Sequence, residues 1–214
     1  MKPITIASVT VVLCLFLLLS PTVGNAQYTQ TFRADSTMDG NAGSILRIVE
    51  SGSPGQDIFI FEEEGKYRVY ALREDGGTWF YLTPAQYFCP VSSMTAGETW
   101  RFINASDLSE ETLATVTLQE DITTAAGTFS CYKVDVEVVS DPGVIVQSLW
   151  LSNGYGLIKE SWFEGNGYWI SDLDNYYATG TGFMPRDVGN WWAYTGYLIG
   201  TEESSWGKIK KSYQ

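Results

Sequence analysis

From Phe129 to Val139 the chain alternates more regularly than anywhere else. Tyr132, Val134, Val136 and Val138 face one way, and Lys133, Asp135 and Glu137 face the other. A period of two belongs to a strand with one buried and one wetted face, the situation in an antiparallel sheet. Asp141-Pro142-Gly143 then turns the chain, Val144 to Leu151 returns, Asn153-Gly154 turns again, and Leu157 to Phe163 follows. Three strands joined by tight turns make a meander.

Similar signals recur upstream. Gly43 to Glu50 is a strand ended by Ser51-Gly52-Ser53-Pro54-Gly55, and Ile58-Phe59-Ile60-Phe61 is a buried run. Glu62 to Lys66 forms a charged hairpin tip before Tyr67 to Arg73, and Asp75-Gly76-Gly77 leads into Thr78 to Leu82. Glu98 to Ile103 alternates, with Trp100 and Phe102 on one side. Asp107 to Glu110 has the character of a helix cap, but Leu113 to Leu118, with β-branched Thr115, Val116 and Thr117, favours a turn and then a strand. Few charges, 21 glycines and 14% aromatics suit twisted sheets with tight turns. The expected fold is all-β and mostly antiparallel: a strongly curved sheet or half-barrel built from meanders, with few or no helices.

Residues 1–26 differ from the rest. Lys2, the apolar run from Ala7 to Leu19, the breaker Ser20-Pro21 and the small residues of Gly24-Asn25-Ala26 form a signal-peptide pattern, with cleavage predicted after Ala26. The run is short for a bilayer span, which needs about 20 residues. Cys14 lies inside it after Leu13, which does not suit lipidation. The expected organisation is a signal peptide at 1–26 and one β domain at 27–214, delivered outside the cytoplasm to the periplasm or the medium.

A formal net charge of −12 argues against nucleic acid and anionic membrane surfaces as partners. No second run could cross a membrane. The chain has no histidine. That removes Ser-His-Asp and Cys-His nucleophiles, histidine zinc sites and the usual acid–base group near neutrality. Cys89 and Cys131 remain after the leader, and in an oxidising compartment such a pair is expected as one disulfide. Two buried thiols are the alternative.

An echo spans about ninety residues. Phe88-Cys89-Pro90 precedes Gly97 and Trp100, and Phe183-Met184-Pro185 precedes Gly189 and Trp192. A duplicated unit would make 183–214 the start of a second repeat-like element.

The segment Ala126-Gly127-Thr128-Phe129-Ser130-Cys131-Tyr132-Lys133-Val134, with Trp150 and Gly154-Tyr155-Gly156-Leu157-Ile158-Lys159-Glu160 after it, resembles a pattern in uncharacterised secreted bacterial proteins. In those proteins an AGTF-type turn opens a strand and a W…GxGLxK segment closes the meander. The resemblance reaches from about residue 85 to 195. It implies a curved antiparallel sheet similar to lipoprotein-carrier half-barrels, and it brings no catalytic residues.

Chemistry candidates are few. Glu160 and Glu164 could make a glycosidase pair, but they read better as solvent-facing strand-end charges, with Ser171 to Asn175 as a loop. Asp172, Asp174 and Asn175 offer oxygen ligands for calcium without the spacing of a known loop, so no metal or cofactor is expected. Six of the eight tryptophans lie between Trp150 and Trp206. Aromatic faces either fill a core or meet a ligand. Trp162, Trp169, Tyr177, Trp191 and Trp192 are the candidate ligand-binding residues, and the adjacent pair Trp191-Trp192 must face opposite ways in a strand.

The leading expectation is a non-catalytic exported domain that binds a hydrophobic or lipid-like ligand. A structural or surface-interaction module of the cell envelope, partnered by another envelope protein, is one alternative. A carbohydrate-binding or carbohydrate-active protein is the other.

Overall fold

The computed structural model describes residues 26–103, 111–164 and 167–200. They form twelve antiparallel strands in chain order: β1 (Ala26–Met38), β2 (Asn41–Glu50), β3 (Gln56–Glu63), β4 (Lys66–Glu74), β5 (Phe80–Pro90), β6 (Thr99–Ile103), β7 (Glu111–Thr124), β8 (Gly127–Val138), β9 (Ile145–Ser152), β10 (Gly156–Glu164), β11 (Gly167–Tyr177) and β12 (Trp191–Gly200). Neighbours in sequence are neighbours in the sheet, except at one point. β5 and β6 are the two edges, while β1 and β12 pair in the middle. The result is an up-and-down barrel cut along one seam. The expected curved meander is therefore present, and it curls almost to closure.

Each edge carries a feature that discourages further pairing. β6 runs only from Thr99 to Ile103, and β5 contains Pro84, which has no N–H to offer. The seam is bridged by side chains: the Tyr87 and Trp100 rings lie 5.2 Å apart.

Period-two alternation explains most of the interior. Phe32, Ile58, Val116, Val134 and Ile158 come from five different strands, and all are fully buried in one continuous core. β3 breaks the alternation because both of its faces are covered. Ile58 and Ile60 point inward, while Phe59 and Phe61 join Ala71, Tyr70 and Trp79 in a second cluster on the outer surface. Thus the unbroken apolar run Ile58–Phe61 serves two cores.

Asp135, expected on the wetted face of β8, is only 9% exposed. Lys133 pairs with it at 2.9 Å and Ser148 donates to it, so its charge is compensated under cover. Ser171 to Asn175 is not a loop but lies within β11, paired with β12. The potential helix cap at Asp107 to Glu110 and the residues before Ala26 lie outside the described residues.

β12 is an integral barrel strand between β1 and β11. The Phe-x-Pro echo has a partial structural counterpart. Gly97 and Gly189 both have positive φ, each just ahead of a strand that points a tryptophan inward, Trp100 and Trp192. The upstream pieces differ: Phe88-Cys89-Pro90 ends β5, whereas Phe183-Met184-Pro185 belongs to the connection from β11 to β12.

Cys89 and Cys131 are free thiols, which corrects the expected disulfide. They stand on β5 and β8, strands that are not neighbours in the sheet. Each sits in the apolar core instead, and the Cys131 thiol points to the Phe129 carbonyl at 3.5 Å. Burial pushes both thiols up, Cys131 to about 12, with Asp121 and Glu120 adding to that rise.

Candidate functional site

The five candidate aromatics do not converge. Trp162 on β10 and Trp169 on β11 are direct cross-strand partners, with ring centroids 5.8 Å apart. They are 3% and 1% exposed and close one end of the barrel as core. Tyr177 and Trp191 are also cross-strand partners, but on the outer face, where Tyr177 is exposed and Trp191 half-buried. Trp192 points inward towards the other end, edge-on to Phe32 at 6.0 Å. The adjacent tryptophans do split between the two faces, as their positions in a strand require.

Beneath the Trp162–Trp169 pair lies a polar layer that was expected in solvent. Glu160 shares its face of β10 with Ile158 and Trp162 and is fully buried, so the reading of a strand-end surface charge is wrong. Tyr28 donates to Glu160 Oε1 at 2.6 Å and stacks on Tyr194 at 4.7 Å. Tyr194 donates to the Leu157 carbonyl at 2.9 Å. Glu160 Oε2 has no partner among the described residues. Burial holds the Glu160 carboxyl well above the usual carboxylate range, against the opposing effect of the Tyr28 hydrogen bond. Burial likewise raises the Tyr28 and Tyr194 phenols, with Glu160 adding to both. Tyr28, Tyr194 and Glu160 are all buried, as suits a structural layer of the core. The spacing Ile158, Glu160, Trp162 was the signal: a carboxyl at i+2 between two large apolar residues shares their face.

The opposite end is plugged by the 178–190 connection. Asn190 organises it from a fully buried position. Its amide donates to the carbonyls of Thr179 at 2.8 Å and Pro185 at 3.1 Å, and its Oδ1 accepts from the Thr179 N–H at 2.9 Å. Gly182 sits at φ +92°, where a Cβ would come within 2.5 Å of the Tyr67 hydroxyl and 2.6 Å of the Val91 carbonyl. The following Phe183 donates its N–H to Val91 at 2.9 Å and turns its ring into the barrel mouth.

Two spaces flank that ring. Inside is a small cavity of about 20 Å³ among Phe32, Leu46, Leu157 and Trp192, with Met184 also on its wall. Gln30 is its one polar side chain, and Gln30 Nε2 is buried without a partner among the described residues. Outside is an open groove of about 520 Å³. Its apolar wall is a trio of rings, Phe129, Tyr155 and Tyr176, packed edge to face with centroids 5.3 to 5.8 Å apart. Its other walls carry Ser92, Ser93, Gln119 and Asn153, and no charged residue among those described lines it. Phe183 lines both spaces.

The turn that presents Tyr155 is anchored to the plug. Asn153 donates to the Ser92 carbonyl at 2.8 Å and accepts from Gly182 N–H at 3.0 Å, while Trp192 Nε1 donates to the Tyr155 carbonyl at 2.6 Å. Of this site, sequence reasoning singled out only Trp192. Phe129, Tyr155 and Phe183 were noted for their motifs and not as contacts. The turn glycines beside Phe129 and Tyr155 are the available signal, because they place those rings at a barrel rim.

One comparison concerns the segment that carries Phe129 and Tyr155 of the groove, though not Tyr176 or Phe183. Residues 109–174 match the model of the DUF3108-like family. That DUF3108-like segment covers β7 to β10 and most of β11, and so includes Phe129, Tyr155, Glu160, Trp162 and Trp169. It contains the Ala126–Val134 and Gly154–Glu160 stretches on which the sequence resemblance rests. It leaves out β1 to β6, the plug and β12. The family description assigns no activity. No curated protein and no solved structure matches the chain.

Proposed function

We propose that this chain is an exported, non-catalytic binding barrel for a lipid-like amphiphile. The carrying observation is Phe183, which lines both the open groove and the small, mostly apolar cavity inside it. The described core residues form one continuous cluster, and about 20 Å³ holds no more than one water. An apolar chain therefore enters only by taking the place of the Phe183 and Met184 side chains, with its polar end left in the groove. The nearly closed barrel and the DUF3108-like match are compatible with this reading.

The test is uptake of the neutral fluorescent probe N-phenyl-1-naphthylamine, followed by competition with dodecyl maltoside below its micelle concentration. Wild-type protein should bind the probe and release it to the competitor, and Phe183→Ala should bind it more tightly. Native mass spectrometry of protein from the exported fraction should show an adduct that organic extraction removes. No probe uptake by either protein, with a bare mass, would overturn the proposal.

A second reading draws on the outer cluster around Phe59 and Phe61. Phe80 and Tyr81 beside it are 43% and 46% exposed, which suits an interaction module of the envelope. Phe80→Ser with Tyr81→Ser should then abolish capture of an envelope partner while leaving probe uptake unchanged.

A further inference from the structure

We propose that the open groove recognises an uncharged pyranose ring, so that the polar end of the bound amphiphile is a sugar; this rests on the groove being the ligand's polar site, as in the proposed function. Three observations lead to it. The first is charge. Among the described residues no cationic or anionic side chain lines the groove. A phosphate or carboxylate head would lose water there without gaining an ionic partner, which is strongly unfavourable.

The second is the packing of the trio. Centroid separations of 5.3, 5.7 and 5.8 Å among Phe129, Tyr155 and Tyr176 are contact distances for edge-to-face rings. No gap remains between them to enclose a quaternary ammonium, as a cage for choline requires. What the trio offers is a platform: Phe129 is buried beneath, and Tyr155 is 42% exposed. The C–H face of a pyranose matches such a platform.

The third is the rim. Ser92 and Ser93 are exposed and their hydroxyls have no hydrogen-bond partner among the described residues, while Gln119 and Thr128 stand on the facing wall. Hydroxyls and amides both donate and accept, which is what sugar hydroxyls need. The volume of about 520 Å³ lies in the range of small-ligand sites. The same chemistry could reach the groove as a glycolipid head or as a free oligosaccharide.

Calorimetry on the exported protein separates the cases. The titrants are dodecyl maltoside, triethylene glycol monododecyl ether and dodecylphosphocholine, each below its micelle concentration, and free maltotriose, cellotriose and chitotriose. Dodecyl maltoside should bind at least tenfold more tightly than the other two dodecyl compounds. Tyr155→Ala should erase that preference and Tyr155→Phe should keep it. Ser93→Asp, on the opposite rim, should weaken the maltoside by a similar factor and serves as the second variant if Tyr155→Ala misfolds. Equal affinity for all three dodecyl compounds, or preference for dodecylphosphocholine, would overturn the sugar assignment and leave the amphiphile reading intact. Tyr155-dependent binding of a free trisaccharide with no response to the dodecyl chain would uphold the sugar site and sink the amphiphile reading. No binding of any sugar-bearing titrant overturns the inference.

Discussion

Tyr28 and Glu160, 132 residues apart in sequence, meet in a 2.6 Å hydrogen bond in the closed interior of the barrel. The bond ties the first described strand to β10 across the core. A charged carboxylate in this place would be expensive, since only one of its oxygens has a partner. Burial accordingly keeps Glu160 neutral well beyond the ordinary carboxylate range.

A dependence of stability on pH follows, with a definite sign. Below the ordinary value of 4.5 the carboxyl is protonated in both folded and unfolded chains. Above 4.5 the unfolded chain releases the proton while the folded one keeps it, so stability falls as pH rises towards the folded value. Glu160→Gln removes that loss. Its stability relative to the wild type should grow by about 1.4 kcal/mol per pH unit above the unfolded value. Glu50, also raised by burial, is common to both proteins and cancels in the difference. Urea unfolding of both at several pH values checks this, and a pH-independent difference would refute it.

Asn190→Ala should loosen the plug. It removes two donated and two accepted hydrogen bonds and strands the Thr179 and Pro185 carbonyls. The expected cost is about 2–4 kcal/mol in chemical denaturation. Hydrogen exchange should rise first in 178–190 and in the 153–155 turn that the plug supports.

Gly182→Ala acts on the same segment by a different route. The new methyl meets Tyr67 Oη at 2.5 Å and the Val91 carbonyl at 2.6 Å, at a φ of +92° that alanine avoids. A loss of about 2–4 kcal/mol is expected. The plug should shift, so uptake of N-phenyl-1-naphthylamine should increase despite the lower stability. A variant as stable as the wild type would show that the plug tolerates a side chain there.

Cys89 and Cys131 should resist alkylation by iodoacetamide in the native protein and both react in denaturant. Burial raises both thiols, so little thiolate forms near neutrality. Intact mass without reductant should show Cys89 and Cys131 both as thiols. A mass two hydrogens lower would mean that they do pair.

Most strands were legible because alternation is local. The β8 pattern from Phe129 to Val139 and the turns at Glu64-Gly65, Asp75-Gly76 and Asn153-Gly154 needed nothing beyond their own residues. β1 has no comparable signal in its own alternation. The mark it does leave is Asp39-Gly40, where both residues take positive φ, as a tight hairpin turn requires. β11 was obscured by Asp172 and Asp174, which suggest a loop. In the barrel, Asp172 accepts from Tyr197 and pairs with Lys159, while Asp174 accepts from Thr195.

The sequence by itself therefore determined the class of structure: antiparallel strands, their turns and most of their inward faces. Those properties depend on residues two positions apart. Tertiary structure alone decided that β1 pairs with β12, that Glu160 lies under Tyr28 and that the two cysteines stay unbonded. It also decided that Phe183 stands between a groove and a cavity. Each of these is a meeting of residues distant along the chain, fixed by barrel closure and by a connection held on Asn190, and local periodicity carries no record of it.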